Sequence, residues 1–437
     1  MYKEISKLIM YGNLDNNSIL SSMADIFNRF DNNLSSKEEL ITDIYTQIKR
    51  ILEVATDYGF DNNLWHNYLT YFLITNENPF SITCEKVGAN DGSVNIFARN
   101  DFKVFYNLFH YDFGEIEEKL GIDCFSIISN YKAIVKKELM YNKNVSEKVR
   151  ELSSRLERTK NENEFFDEVT EFYKAFGVGM FGLNKAFRIS SDEKDGLVFH
   201  PINNMDKVVL DDLIGYEIQK QKLVENTENF VQGRKANNAL LFGDSGTGKS
   251  TSIKAIVNQY YDQGLRMIEI YKHQFKDLSA VIAQIKNRNY KFIVYMDDLS
   301  FEEFEIEYKF LKAVIEGGVE TKPDNVLIYA TSNRRHLIKE TWKDREDMEH
   351  SEDLHRSDTM EEKLSLVNRF GLSIFYAKPN KEGFNEMAVA LARRAGITPE
   401  VMTDEEICYE ANRFEMRGGG LSGRTAQQFA NYLLTIK

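Results

Sequence analysis

Apolar positions recur at helical spacing through roughly the first 195 residues. In "SSKEELITDIYTQIKRILEVA", Ile41, Ile44, Tyr45, Ile48, Ile51, Leu52 and Ala55 fall on one stripe behind a capping box of Ser36 and Glu39, the pattern of a helix that buries one face. That stripe predicts core rather than a partner groove, and residues 1–195 read as a mostly helical N-terminal domain rich in Asn, Tyr and Phe. Polar "SSDEKDG", Ser190 to Gly196, followed by Pro201, predicts a linker. From Asn238 the pattern changes to short apolar runs, "NALLFG", "LRMIEIY", "KFIVYMD", "VLIYATS" and "LSIFYAK", with helical segments between most of them. Such alternation predicts an α/β domain over 196–378, a parallel sheet with helices on both faces. After Pro379 the strands stop. Three amphipathic stretches follow over 379–437, with faces of Phe384, Met387, Ala388, Leu391 and Ala392, then Ile407, Cys408, Ala411 and Phe414, then Ala426, Phe429, Ala430, Leu433 and Leu434, and they predict a small helical bundle.

The composition narrows the classes. Of 437 residues 42% are hydrophobic and 28% charged, which suits two or three globular domains and excludes a fibrous or wholly disordered chain. Acidic residues outnumber basic ones, 68 to 55, for a net charge of −13, so non-specific attraction to nucleic acid or anionic lipid is disfavoured. "MYKEISKLIMYGNLDNN" lacks the apolar run of a signal peptide, and no later run approaches the roughly 20 residues of a membrane span. The expectation is a cytoplasmic protein with no membrane contact. Cys84, Cys124 and Cys408 are far apart and form no C-x-x-C pair, which predicts reduced, buried cysteines rather than disulfides or a zinc site.

Two stretches carry chemistry. "LLFGDSGTGKST" follows a predicted strand, opens a helix bearing Ile253, Ile256, Val257, Tyr260 and Tyr261, and fits G-x-x-x-x-G-K-[ST] at Gly243, Gly248, Lys249 and Ser250. Its loop, Gly243, Asp244, Ser245, Gly246, Thr247, Gly248, Lys249, Ser250 and Thr251, can wrap a triphosphate in backbone N–H groups. Lys249, expected to face solvent, would neutralise the outer phosphates, and the Ser250 hydroxyl would ligate Mg²⁺. "FIVYMDDLSFEEFE" drives an apolar strand into Asp297 and Asp298, whose adjacent carboxylates repel each other and call for a cation or a shared proton. Lying one strand beyond the loop, Asp297 is the expected Mg²⁺-linked carboxylate. By contrast "GVGMFG", Gly177 to Gly182, matches a dinucleotide fingerprint but follows a helical segment, and predicts a flexible bend. His350 and His355, in "WKDREDMEHSEDLHRSDTMEEK", do not share a helix face and predict an exposed loop rather than a metal site.

With these motifs placed, residues from about Asp211 to Lys437 resemble the AAA+ ATPases. "DDLIGYEIQKQKL" is similar to the segment that embraces adenine, and "IYATSNRRHL" resembles sensor 1, with Asn333 in its polar position. "LVNRFG" resembles the arginine-finger box at Arg369, and "GGGLSGRTAQQF" resembles sensor 2 at Arg424. More narrowly, "MDDLSFEE", "SNRRHL", "EEKLSLVNRFGL" and "LSGRTAQQFANYL" together resemble the bacterial AAA+ family catalogued as domain of unknown function 815. The resemblance implies a P-loop core with a C-terminal helical lid, ATP and Mg²⁺ as ligands, and catalytic parts at Lys249, Asn333, Arg369 and Arg424. It further implies a nucleotide-dependent homo-oligomer in which Arg369 reaches a neighbour's ATP, while the N-terminal domain recruits a protein partner. One departure stands out: Asp298 occupies the position where the AAA+ ATPases usually carry a Glu. Asp298 can still position the attacking water, or Glu302 or Glu303 can reach in from the following turn. The expectation is an ATPase, with room for slow turnover; the alternatives are a DNA-linked switch similar to a helicase loader or transposition helper, with Arg334, Arg335 and Arg369 as a basic rim, and a nucleotide-binding scaffold that does not hydrolyse.

Overall fold

The structure, a computed structural model, describes residues 1–90, 92–134, 142–192, 196–203, 205–300, 307–316, 323–333, 369–418 and 420–436. Glu302, Glu303, Arg334, Arg335, His350 and His355 lie outside the described residues. The chain divides into two units, Met1–Asn184 and Lys185–Lys437.

The first unit is helical, as its periodicity predicts. Its longest helix, Lys37–Tyr58, begins with the Ser36–Glu39 capping box and ends at Gly59 in the left-handed region. The helix buries Leu40, Ile44, Ile48, Ile51 and Ala55 but leaves Tyr45 49% exposed, so the predicted stripe is right except at its edge. Each fully buried aliphatic side chain there contributes about 1.5–3 kcal/mol. The core is rich in aromatic rings, among them Tyr11, Phe27, Phe60, Trp65, Phe102, Phe105 and Phe125. Several buried polar atoms in it pair across the chain: Trp65 Nε1 donates to Leu108 O, and Tyr173 donates to Leu73 O, which leaves Tyr11 as the donor to the Tyr173 hydroxyl. The segment expected to be a flexible bend is instead pinned. Val178 N donates to the buried Glu85 carboxylate at 2.9 Å, and a short helix, Gly179–Leu183, follows.

The second unit is built on one seven-stranded sheet. Its strands are β1 (Ala186–Asp192), β2 (Gly196–Pro201), β3 (Ala239–Gly243), β4 (Leu265–Glu269), β5 (Lys291–Met296), β6 (Val326–Ser332) and β7 (Leu372–Tyr376), in the order β2-β1-β4-β5-β6-β3-β7. All five strands predicted from β3 onward are present and pair in parallel. The predicted linker is a correction. Ser190, Ser191 and Asp192 belong to β1 and pair antiparallel with Val198, Leu197 and Gly196 of β2, while β1 runs parallel to β4. The division therefore falls at 184/185 rather than 195. The run resembles a linker because Ser190, Ser191 and Asp192, at the end of β1, are polar, whereas Ala186, Phe187 and Ile189 just before them are buried. Pro201 closes the edge strand, where no ladder N–H is required of it.

Helices Glu217–Val231 and Lys249–Tyr260 supply Leu223, Phe230, Ile253, Ile256 and Val257 to a core shared with β3, β5 and β6. The last three helices, Lys381–Arg394, Asp404–Glu415 and Gly423–Ile436, enclose a smaller core of Phe384, Ala388, Ala392, Ile407, Ala411, Ala426 and Phe429. Leu434, placed on that face by periodicity, is 50% exposed. Cys84 and Cys124 are buried and Cys408 half-buried, all three as free thiols. Among the described residues no helix is long and apolar enough to cross a membrane.

Candidate functional site

Parallel pairing brings the ends of β3, β5 and β6 side by side, and the chemistry collects there. β3 ends at Gly243, with φ at 132°; a Cβ at this position would sit 2.1 Å from Tyr376 O on the neighbouring strand, so only glycine fits. The chain then turns through the loop into the helix beginning at Lys249, where Gly248 has φ at 89° and a Cβ would come within 2.8 Å of Leu213. That turn aims the first N–H groups of a twelve-residue helix into the cleft.

Lys249 does not face solvent: it is 6% exposed. Its ammonium donates to Gly243 O at 3.1 Å, Asp244 O at 2.6 Å and Asn333 Oδ1 at 3.1 Å. Burial lowers its pKa, while the carboxylates of Asp244, Asp298 and Asp297 act in the opposite direction. The loop has closed on its own lysine, which supplies acceptors that a phosphate oxygen can replace.

The two adjacent aspartates avoid each other by pointing to different partners. Asp297 Oδ1 accepts from Ser250 Oγ at 2.7 Å and from Thr331 Oγ1 at 2.6 Å. Burial pushes its pKa up, but the hydroxyls of Thr331, Tyr295 and Ser250 and the Asp298 N–H outweigh that and hold it below the ordinary carboxylate value. Asp298 takes φ of 50°, a region Asp tolerates better than most residues. Its N–H donates to Thr331 Oγ1 and its carboxylate accepts from Asn333 Nδ2 at 2.7 Å. Lys249, Asn333 and Asp298 thus form one hydrogen-bonded chain, and Ser250, Asp297 and Thr331 another. Beneath them the Tyr295 hydroxyl, fully buried, lies against Asp297, Ser250 and Thr331 without a well-aligned hydrogen bond to any of them. Burial and then the Asp297 charge push this phenol far above its usual pKa, so it stays protonated.

These groups open into a cleft of about 640 Å³. Leu213, Ile214 and Tyr216, from the segment expected to embrace a base, line it together with Val208 just ahead of that segment, and Met387, Leu391 and Arg424 line it from the C-terminal helices. Those helices are tied down at three points: Arg424 N donates to Gly246 O, Arg394 to Asp211 O, and Lys378 N to the Asp244 carboxylate. Ser245, Gly246, Thr247, Gly248, Lys249, Ser250, Thr251, Asp297, Asp298, Asn333 and Arg424 all line this one cleft. Gly243 and Asp244 support it from behind, through the Lys249 and Lys378 bonds. Arg369 does not line it: it lies exposed just ahead of β7.

A family model described as "Protein of unknown function (DUF815)" matches residues 183–436, more than half of the chain. The chain belongs to that family. Its start at 183 agrees with the unit boundary at 184/185, ahead of β3 by the β1–β2 hairpin and the helix Glu217–Val231. The DUF815 unit has a parallel sheet in the order β4-β5-β6-β3-β7, extended at one edge by β1 and β2 and followed by three helices. No curated protein matches the chain. Among solved structures it is similar to a point variant of RuvB from Thermotoga maritima, at 15% identity and TM-score 0.35 over 53% of this chain and 66% of that one. It is similar also to PCH-2 of C. elegans, at 17% and 0.35 over 52% and 65%. The chain spans just under two thirds of the length of each of these.

Within the DUF815 unit, the motif reading overlooked Thr331 and Tyr295. Both sit in runs that read as buried strand, and the only signal was a hydroxyl at the second-last position of β5 or β6 beside the aspartate pair. Among the described residues no group of three or more His, Cys, Asp and Glu is placed to hold a metal. A divalent cation would instead be held by Ser250 and Asp297, whose oxygens stand 2.7 Å apart, with ligand oxygens completing its sphere.

Proposed function

We propose that the chain binds ATP with Mg²⁺ and hydrolyses it, using the change between nucleotide states to drive conformational change or assembly on a partner macromolecule. The observation that carries this reading is the convergence of a phosphate-binding loop, the Asp297–Asp298 pair, Asn333 and the lid's Arg424 on one cleft. The loop N–H groups bind the phosphates. Lys249 exchanges its contacts with the Gly243 and Asp244 carbonyls and Asn333 for phosphate oxygens. Ser250 and Asp297 hold the cation, which when bound neutralises charge across the outer phosphates. Asp298 orients the attacking water and takes its proton once Asn333 releases its carboxylate, and Asn333 then aligns that water. Arg424 reaches the phosphates from the lid side. A carboxylate one methylene shorter than the Glu usual in AAA+ ATPases, and held by the Asn333 amide, favours slow turnover.

Arg369, outside its own cleft, acts on a neighbour's ATP in a nucleotide-dependent homo-oligomer, and the helical unit recruits a protein partner. Sedimentation with and without ATP and Mg²⁺, together with hydrolysis by mixed Arg369→Ala and Asp297→Ala subunits, tests this. Self-association with ATP and recovered turnover in the mixture are expected. A protein that stays monomeric in every nucleotide state yet hydrolyses at full rate would overturn the trans arrangement, and one with no ATP affinity would overturn the reading altogether.

A further inference from the structure

Tyr295 is 1% exposed, in the strand that ends at Asp297. Residues two apart on a strand share a face, so its side chain rises beneath the Asp297 carboxylate, in a core with Ile253, Ile256 and Tyr329. Its hydroxyl has no well-aligned hydrogen bond. The neighbouring buried tyrosines differ: Tyr329 bonds with Asn226 and Thr227, and Tyr376 donates to Ser252. An unpaired buried hydroxyl is disfavoured, and Phe would fill the same space. The groups around it are already engaged with one another, since Ser250 and Thr331 both donate to Asp297 Oδ1 and Thr331 also accepts from Asp298 N.

We propose that Tyr295 is a positioning residue for Asp297, donating to its carboxylate when Ser250 turns from Asp297 toward a bound divalent cation. This rests on the ATP–Mg²⁺ reading above. Ser250 and Thr331 hold the aligned donor positions on Asp297 Oδ1, and the phenol lies against the same carboxylate without one. Once the Ser250 hydroxyl turns to a cation, Asp297 loses one of its two aligned donors. The phenol, already against the carboxylate, takes the place of Ser250 and keeps it oriented. Supporting groups of this kind typically change metal affinity by roughly 10- to 100-fold.

Tyr295→Phe removes one oxygen and tests the proposal. Three quantities are measured on the full chain: unfolding without nucleotide, ATP affinity in EDTA, and the Mg²⁺ concentration at half-maximal tightening of ATP binding. Tyr329→Phe, which loses a satisfied hydroxyl, is the control. The expected result for Tyr295→Phe is unchanged or raised stability, unchanged affinity in EDTA, and a Mg²⁺ midpoint raised about 10-fold; Tyr329→Phe loses stability and keeps the midpoint. An unchanged midpoint in Tyr295→Phe, or a stability loss matching that of Tyr329→Phe, overturns the positioning role while leaving the ATP reading intact. A wild-type protein whose ATP binding ignores Mg²⁺ overturns both.

Discussion

The two units bury polar groups by the same rules and for different ends. In the helical unit Asp101, fully buried, accepts from the N–H groups of Ile9, Met10 and Tyr11 at 2.7–3.0 Å. Those donors have no other use, so the carboxylate fastens the N-terminal segment to the helix Ser93–Phe109 and nothing there is open to exchange. In the DUF815 unit Lys249 is also nearly buried, but two of its acceptors are carbonyls of the loop itself and the third is a side-chain amide at a strand end. All three can be given up without unfolding an element. The contrast teaches that burial of charge alone does not mark a site. What marks one is burial with partners that can be traded for a ligand, beside a cleft that admits it.

The largest effect expected is on turnover in the second unit. Asp298→Asn should slow single-turnover hydrolysis by about 100- to 1,000-fold with ATP affinity kept, whereas Asp297→Asn should weaken Mg²⁺-dependent binding itself. Glu302→Gln and Glu303→Gln belong in the same series. Normal turnover in Asp298→Asn with a stall in one glutamine variant moves the base to that glutamate, and no effect in any of the three leaves a nucleotide-binding scaffold.

Next in size is a change confined to the first unit. Asp101→Ala should cost about 3 kcal/mol of folding stability by leaving buried donors unpaired, read by urea unfolding with hydrogen exchange to localise it. ATP affinity should not move; if it falls in step, the distinction between the two units breaks down.

Lys249→Ala reverses that pattern. ATP binding should weaken roughly 30- to 100-fold, with circular dichroism and melting little changed, because the loop carbonyls it releases lie beside the cleft and can turn to water. Wild-type ATP affinity in this variant would sink the phosphate-site assignment.

The smallest effect is on acid sensitivity. Asp297 titrates lower in the folded chain than in the unfolded one, where an aspartate sits near about 3.9. Its contribution is therefore complete above the unfolded value and is lost as pH falls through the folded value. Because the carboxylate is exposed to the cleft, the difference is below about 1 kcal/mol. Asp297→Asn should lose less stability than wild type between about pH 5 and pH 3, and an identical acid slope would show that the hydroxyls of Ser250 and Thr331 do not hold the carboxylate as described.

Local pattern was enough for the five parallel strands, the three lid helices, the Ser36 capping box and the loop from Gly243 to Thr251, because each depends on period, caps or a glycine spacing that a short window contains. It also brought Asp297, Asp298, Asn333 and Arg424 under suspicion. The membership of "SSDEKDG" in an edge hairpin was not legible, since pairing with β4 depends on a strand more than 70 residues away. Nor was the inward turn of Lys249, whose acceptors lie on a loop that only closes in three dimensions, or the separation of the two aspartates, which requires a left-handed residue at Asp298 and a threonine on the neighbouring strand. Tyr295 is the extreme case. Along the chain it is one more apolar ring in a buried strand; alternation puts it on the Asp297 face, and only the packing of β5 against the helix at Lys249 shows its hydroxyl buried there without a well-aligned hydrogen bond. Order along the chain settles which elements form and which residue types stand in the loop from Gly243 to Thr251. Folding in space settles which of those residues are engaged with one another before any ligand arrives, because hydrogen-bond partners are chosen by distance in space and not by distance along the chain.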